Sequence, residues 1–313
     1  MTVVVQKPGL QTTIQSRPRI GNRHLGVPSC GPADALSMAL ANRLVGNDAF
    51  APALETTLTG VTLTFTAPTF VAVTGCVSKC ALGIDTVPQH VTLAVRKGDV
   101  LTVGAAEKGV RNYVAIAGGF EGDSMLGSTS TYMTAGFGGH QGRALEVGDE
   151  LETRRAPVDV ALIETPPEYR IPNLDSWSVR AGWSCEADSL VDRRRLFTEK
   201  FVVGNRCDRM GIKLEGETFA GDADGQMPSV PVFPGTIQCP QDGNLFVMSV
   251  DSGTTGGYPR VAKITRMDLH ILGQLRPGNS IRFIERSDEI ASRELRDKHA
   301  YWRPWLPDVA AVI

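Results

Sequence analysis

The chain of 313 residues lacks most of the patterns that mark common reactive sites. It has no Gly-Lys pair, so it cannot form the GxxxxGK[ST] loop that cradles a nucleotide's phosphates. It has no HExxH pair of helical metal ligands and no GxSxG turn to raise a nucleophilic serine. Its histidines (His24, His90, His140, His270 and His299) are scattered, which favours surface or packed imidazoles over a metal site. The cysteines (Cys30, Cys76, Cys80, Cys185, Cys207 and Cys239) form no CxxC pair, so reduced thiols in or near the core are expected. No Met-Lys-Met biotin attachment site is present; biotin, if used, is carried by another chain. Charge of neither sign dominates: 32 basic and 34 acidic residues leave a net charge of -2, which excludes the basic footprint of a nucleic-acid binder.

Long apolar runs are also missing. Met1–Pro8 is too short to be a signal peptide, and Pro8 ends it. The longest uncharged stretch, from Thr56 to Ser78, is interrupted by eight threonines. Within it Val61, Leu63 and Phe65 alternate with Thr62, Thr64 and Thr66, which is the period of a half-buried strand and not of a membrane helix. A cytoplasmic protein is expected.

What is there is a globular composition, 42% hydrophobic, with 33 glycines and 19 prolines punctuating short apolar stretches. That favours a mainly β fold with a few helices. A helix is predicted at about 35–45, capped by Asp34, striped by Leu36, Leu40 and Leu44, and stopped at Gly46. Tyr113–Ala117 reads as a strand buried on both faces. Lys97-Gly98-Asp99, Val147-Gly148-Asp149 and Pro277-Gly278-Asn279 share one turn form, with Gly supplying positive φ before a strand. Prolines 157, 166, 167 and 172 mark a linker at about 152–176. Short helices are expected near 188–200 and 267–274, and a terminal helix from Ser287 to about Pro304, whose Trp302 and Trp305 suggest docking. The division expected is 1–155, 177–285, and a helical tail 286–313.

Four Gly-rich loops with polar residues at strand ends are candidates for chemistry. Gly26–Asp34 delivers a helix N-terminus that can face an anion. Leu126–Tyr132 and Gly136–Arg143 let backbone approach a ligand, with Arg143 as a two-pronged clamp for a carboxylate or phosphate. Gly204–Gly211 packs Arg206, Asp208 and Arg209 together and reads as an ion-pair network or a subunit contact. The fourth combines Ile237–Asn244, including Gln238 and Asp242, with Asp251–Arg260. There an apolar strand ends abruptly in hydroxyls, paired glycines and Tyr258, which a core strand does not require.

Ordered blocks carry a resemblance across roughly residues 5–285: Pro8–Gln15, Ala41–Asn47, Leu54-Glu55, Leu126–Thr131, Asp208–Gly211 and Thr254–Pro259. The chain resembles the allophanate hydrolase subunit 2, or KipA-like, family, which includes the C subunit of 5-oxoprolinase and part of the carboxyltransferase domain of urea carboxylase. Gly253 stands where members commonly carry Gln. The resemblance implies two barrel-like parts, cyclophilin-like in type, and a KipI-like partner, the B subunit, joined in 5-oxoprolinase by an A subunit. It implies ATP-driven opening of 5-oxoproline to glutamate. The alternatives are transfer of a carboxyl group from biotin on another chain in a urea carboxylase or amidolyase, and a non-catalytic KipA-like regulator. On the first reading Asp242, Asp251 and Thr255 would be catalytic. Thr254, Gly256, Gly257, Tyr258, Arg260, Arg143 and Gln238 would bind substrate, with no metal.

Overall fold

In the computed structural model, residues 1–154, 156, 159–184, 192–219 and 228–313 are described. They form two compact units. The first comprises residues 1–19, 30–173 and 302–312, and the second residues 20–29, 174–301 and 313. The expected tail 286–313 is thus shared between the units, and residues 20–29 belong with the second.

The first unit runs β1 (Thr2–Lys7), β2 (Gln11–Gln15), α1 (Ala35–Leu44), β3 (Ala53–Thr57), β4 (Thr62–Phe65), β5 (Thr69–Leu82), β6 (Asp85–Val87), β7 (Leu93–Val95), β8 (Val100–Ile116) and β9 (Glu150–Glu152). These strands make one nine-stranded sheet that curls into half a barrel. The alternation read from the sequence is met: Val61, Leu63 and Phe65 are buried while Thr62 and Thr64 are half-buried. β5 and β8 pair along most of their length. From Val110 to Ala117 every residue of β8 and its end is buried, because α1 packs against both strands.

α1 forms where its signals lie. The Asp34 carboxylate accepts from the Ser37 N–H (3.0 Å) and hydroxyl (2.6 Å), and Gly46 takes a left-handed φ of 72° after the last turn. Leu36, Leu40 and Leu44 are fully buried, each stabilising by about 1.5–3 kcal/mol relative to exposure. The repeated turn is one geometry in both units: Gly98, Gly148 and Gly278 have φ of 91°, 88° and 90°.

The second unit runs β10 (Ser176–Trp183), α2 (Arg193–Thr198), β11 (Phe201–Cys207), β12 (Gly211–Glu215), β13 (Val230–Pro231), β14 (Thr236–Gln238), β15 (Leu245–Met248), β16 (Thr255–Gly256), β17 (Arg260–Ile264), β18 (Ser280–Glu285) and α3 (Asp288–Trp302). α4 (Val309–Val312) follows and lies in the first unit. Seven of the strands close a barrel in the order β10-β17-β14-β15-β12-β11-β18, sealed by the parallel pair β10–β18. Trp177, Val179 and Ala181 alternate inward along β10 and meet Ile212, Leu214, Val247, Ile281 and Phe283 in the core. α2 is shorter than the helix expected near 188–200, whose start falls outside the described residues. The 267–274 helix appears as a 3-10 helix, Arg266–Gln274. In the first unit Trp302 and Trp305 lie 5.5 and 6.3 Å from the Tyr169 ring, which is the docking that they suggested.

Candidate functional site

In the barrel, β12 and β15 pair side by side, with Gly211 opposite Met248 and Lys213 opposite Phe246. Gly211 is required: a Cβ there would lie 2.2 Å from the Phe246 ring. The loop before it leaves Arg206 and Asp208 exposed and turns Arg209 inward. The Asp208 carboxylate accepts from the Met210 and Gly211 N–H groups (2.7 and 3.1 Å), and Arg209 forks onto Asp251 at 2.7 and 2.9 Å. This fork fixes the turn after β15, so the chain leaves the barrel at Ser252-Gly253, pairs β16 with β13 and returns as β17.

Between that return and β12 lies a cleft of about 540 Å³, within the range of small-molecule sites. Gln238 at the end of β14 is buried, and its Nε2 donates to the Tyr258 carbonyl at 3.0 Å. That bond ties β14 to the Gly256-Gly257-Tyr258 wall. A side chain at 256 would meet Gln238 Nε2 at 2.6 Å, which is why glycine stands there. Opposite, Lys213 Nζ donates to Asp242 Oδ2 at 2.9 Å, and Asn244 adds its backbone N–H and its Nδ2 (3.1 Å each) to the same carboxylate. The Lys213 hydrogen bond, followed by those from Asn244, holds the Asp242 carboxyl below the usual carboxylate range. Asp242 is therefore an ionised acceptor. Arg206 lies over the Phe246 ring at 5.5 Å and makes no ion pair among the described residues. The cleft thus offers a guanidinium uncompensated among the described residues, an aromatic face, a neutralised ion pair and a wall of backbone and hydroxyls.

Six of the expected residues come together here: Gln238, Asp242, Thr255, Gly256, Gly257 and Tyr258. The other four do not line the cleft. The Thr254 carbonyl accepts the Val232 N–H at 3.1 Å, and Arg260 Nη1 donates to the Pro231 carbonyl at 3.1 Å, so both bind the β13 segment. Asp251 is buried against Arg209 and serves the turn. Arg143 belongs to the first unit, where both Nη atoms grip Asp149 at 2.8 Å. Sequence reasoning missed Arg206, Lys213 and Phe246. Arg206 sat in a loop read as a network or contact, and Lys213 is an outward position on an alternating strand.

The other loops prove internally filled. The Ala33 N–H donates to Glu55 Oε2 (2.9 Å) and the Asp34 N–H to the Tyr113 hydroxyl (2.8 Å), so amides expected to face an anion meet protein groups. Glu55 is itself buried with Arg111 at 3.3 Å. Of the 126–143 glycines, Gly127 and Gly136 face open space, but Gly138 and Gly139 admit neighbouring chain atoms: a Cβ at Gly138 would lie 2.2 Å from the Ser130 carbonyl and one at Gly139 1.9 Å from Thr131 Oγ1. The Arg19 guanidinium fills this region, donating to the carbonyls of Met125, Ser128 and Ser130.

A β-barrel unit with a polar cleft of this kind, joined in one chain to a half-barrel of nine strands, defines the class. The chain belongs to the carboxyltransferase domain, subdomain A and B, family, whose model matches residues 25–285. It is 32% identical to the 5-oxoprolinase C subunit of Escherichia coli over 95% of each chain. It is 34% identical to urea amidolyase of Saccharomyces cerevisiae over 94% of this chain and 17% of that one. The crystal structure of the Kluyveromyces lactis urea carboxylase superposes with a TM-score of 0.89 at 29% identity, over 95% of this chain and 29% of that one. The chain therefore spans nearly all of the 5-oxoprolinase relative and under a third of the urea enzymes. No helix among the described residues is long and apolar enough to cross a membrane.

Proposed function

We propose that this chain is the C subunit of an ATP-dependent 5-oxoprolinase, which opens the lactam of 5-oxoproline to glutamate together with a KipI-like B subunit and an A subunit. The observation that carries the reading is the cleft's one cation without an ion pair among the described residues, Arg206, set beside a wall of amides and hydroxyls. 5-Oxoproline is a small ring with one carboxylate and one unreactive amide. Arg206 matches the carboxylate, which a guanidinium binds with two parallel hydrogen bonds. The Thr255 hydroxyl and the backbone at Gly256-Gly257 stand where the lactam can be oriented, and donors aimed at a developing oxyanion supply the largest share of such catalysis. Asp242, kept ionised by Lys213, accepts and orients; it does not donate a proton near neutral pH. Hydrolysis adds water across the C–N bond: the carbonyl carbon gains the oxygen and the nitrogen leaves as an amine.

The cleft does not fit a triphosphate. Its second cation, Lys213, is already paired, which leaves one guanidinium against several negative charges. The nucleotide is assigned to the partner chains. The near-complete overlap with a free-standing C subunit also supports this reading.

The likeness to urea carboxylase favours a second reading, a carboxyltransferase component receiving a carboxyl group from biotin on another chain. One experiment separates them. The chain purified with candidate A and B subunits is given 5-oxoproline and ATP, and glutamate is measured; release that Arg206→Met abolishes supports the first reading. No glutamate from any pairing overturns it, and carboxylation of urea by a carboxybiotin carrier then establishes the second.

A further inference from the structure

The Thr255-Gly256 wall of the cleft is not part of the closed barrel. These two residues form β16, which makes a separate two-stranded sheet with β13: Val230 faces Gly256 and Pro231 faces Thr255. Two residues on each side cannot hold such a ribbon by their own ladder, since even a longer isolated pair of strands is marginal in water. The position of the wall has to be set from outside the ribbon.

The groups that grip it are arginines. Arg23 stands on the 3-10 turn Arg23–Leu25, in the short stretch 20–29 that belongs to the second unit. Its Nη2 donates to the Val232 carbonyl, just after β13, and to the Gly253 carbonyl at 3.3 Å, two residues before β16. One nitrogen thus bridges both arms of the ribbon at the end where the Val232 N–H meets the Thr254 carbonyl (3.1 Å). The same guanidinium lies over the Phe233 ring, 4.9 Å from its centre, which adds a second hold on the β13 arm. From β17, Arg260 Nη1 donates to the Pro231 carbonyl at 3.1 Å. Arg23 does not line the cleft, so it acts there only through the backbone that it holds.

We propose that Arg23 is a positioning residue for the cleft: by bridging Val232 and Gly253 it fixes β16, and with it the Thr255 hydroxyl and the Gly256 backbone. The inference deepens the 5-oxoprolinase reading, and its turnover arm rests on that reading. Arg206 belongs to β11 and not to the ribbon. A wall released from Arg23 therefore leaves the carboxylate's partner in place while the lactam loses its alignment. Such a loss appears in kcat and not in KM.

The test compares hydrogen exchange, read by mass spectrometry, in the unsubstituted full chain and in Arg23→Met, Arg23→Lys and Lys263→Met. Arg23→Met is expected to speed exchange about tenfold in segments 230–233 and 254–257, with β12 and β15 unchanged. Arg23→Lys keeps a charged donor and is expected to slow it again. Lys263→Met takes the other cation from the Phe233 ring, 5.2 Å from its centre, and is expected to change nothing. With A and B subunits added, Arg23→Met is expected to lower kcat for glutamate release about tenfold and to keep KM for 5-oxoproline within about twofold. Unchanged ribbon exchange in Arg23→Met overturns the proposal. So does faster exchange throughout the barrel, equal loosening by Lys263→Met, or a loosened ribbon with unchanged kcat. An unsubstituted assembly that releases no glutamate overturns the 5-oxoprolinase reading instead, and the exchange result then decides on Arg23 alone.

Discussion

Arg209 grips Asp251 with two nearly parallel hydrogen bonds, Nε to Oδ2 at 2.7 Å and Nη2 to Oδ1 at 2.9 Å, and both residues are buried. The pair holds the turn from which the Thr255–Tyr258 wall starts. Neutralising one partner strands a buried charge, so Asp251→Asn is expected to destabilise the barrel by about 3–5 kcal/mol. Urea denaturation measures this. Unchanged stability with lost turnover would instead make Asp251 a reacting group.

Gly256 and Gly253 flank the same wall with opposite tolerance. A methyl at 256 meets the buried Gln238 amide at 2.6 Å, whereas one at 253 finds its nearest atom, the Thr255 carbonyl oxygen, at 3.4 Å. Gly256→Ala is expected to displace Gln238 from the Tyr258 carbonyl, to cost about 1–3 kcal/mol of stability by overpacking, and to lower kcat/KM at least tenfold. Gly253→Ala is expected to leave both unchanged. Equal behaviour of the two variants in thermal melts and steady-state kinetics would show that the Gln238 contact does not shape the cleft.

The Arg143–Asp149 pair contributes to acid stability. The Arg143 hydrogen bond, first among several causes, lowers the Asp149 carboxyl from 3.8 to about 2. A carboxyl whose folded value lies below its unfolded one stabilises fully above the unfolded value, and this is lost as pH falls through the folded one. The contribution is therefore present above about pH 4 and disappears towards pH 2. Arg143→Gln is expected to lower stability between pH 6 and 8 by up to about 1 kcal/mol, since the arginine is partly exposed, and to leave it unchanged towards pH 2, where the pair has already lost the carboxylate's charge. Urea denaturation at pH 7 and at pH 2 decides; an equal loss at both would contradict the pairing.

Local signals were legible where local physics suffices. Asp34, the leucine stripe and Gly46 locate α1 because capping and amphipathic period act within a few residues. Gly98, Gly148 and Gly278 announce their turns because only glycine accepts that φ freely. The Thr255–Tyr258 segment was legible too, as hydroxyls and paired glycines at a strand end, and it lines the cleft. Arg143 and Asp251 misled. Each has the side chain of a functional group, but whether it faces a cleft or a neighbouring charge depends on a partner elsewhere in the chain, Asp149 in one case and Arg209 in the other.

By itself the sequence determined the mainly β character, α1 with its cap, the family and one wall of the cleft. These follow from periods of two and 3.6, from turn chemistry and from ordered motifs. Only the tertiary structure decided which residues face that wall. Lys213 and Phe246 reach the cleft through the register of β12 on β15, and Arg206 through the strand beside them. Barrel closure sets those registers, and it depends on pairings between residues far apart in the chain.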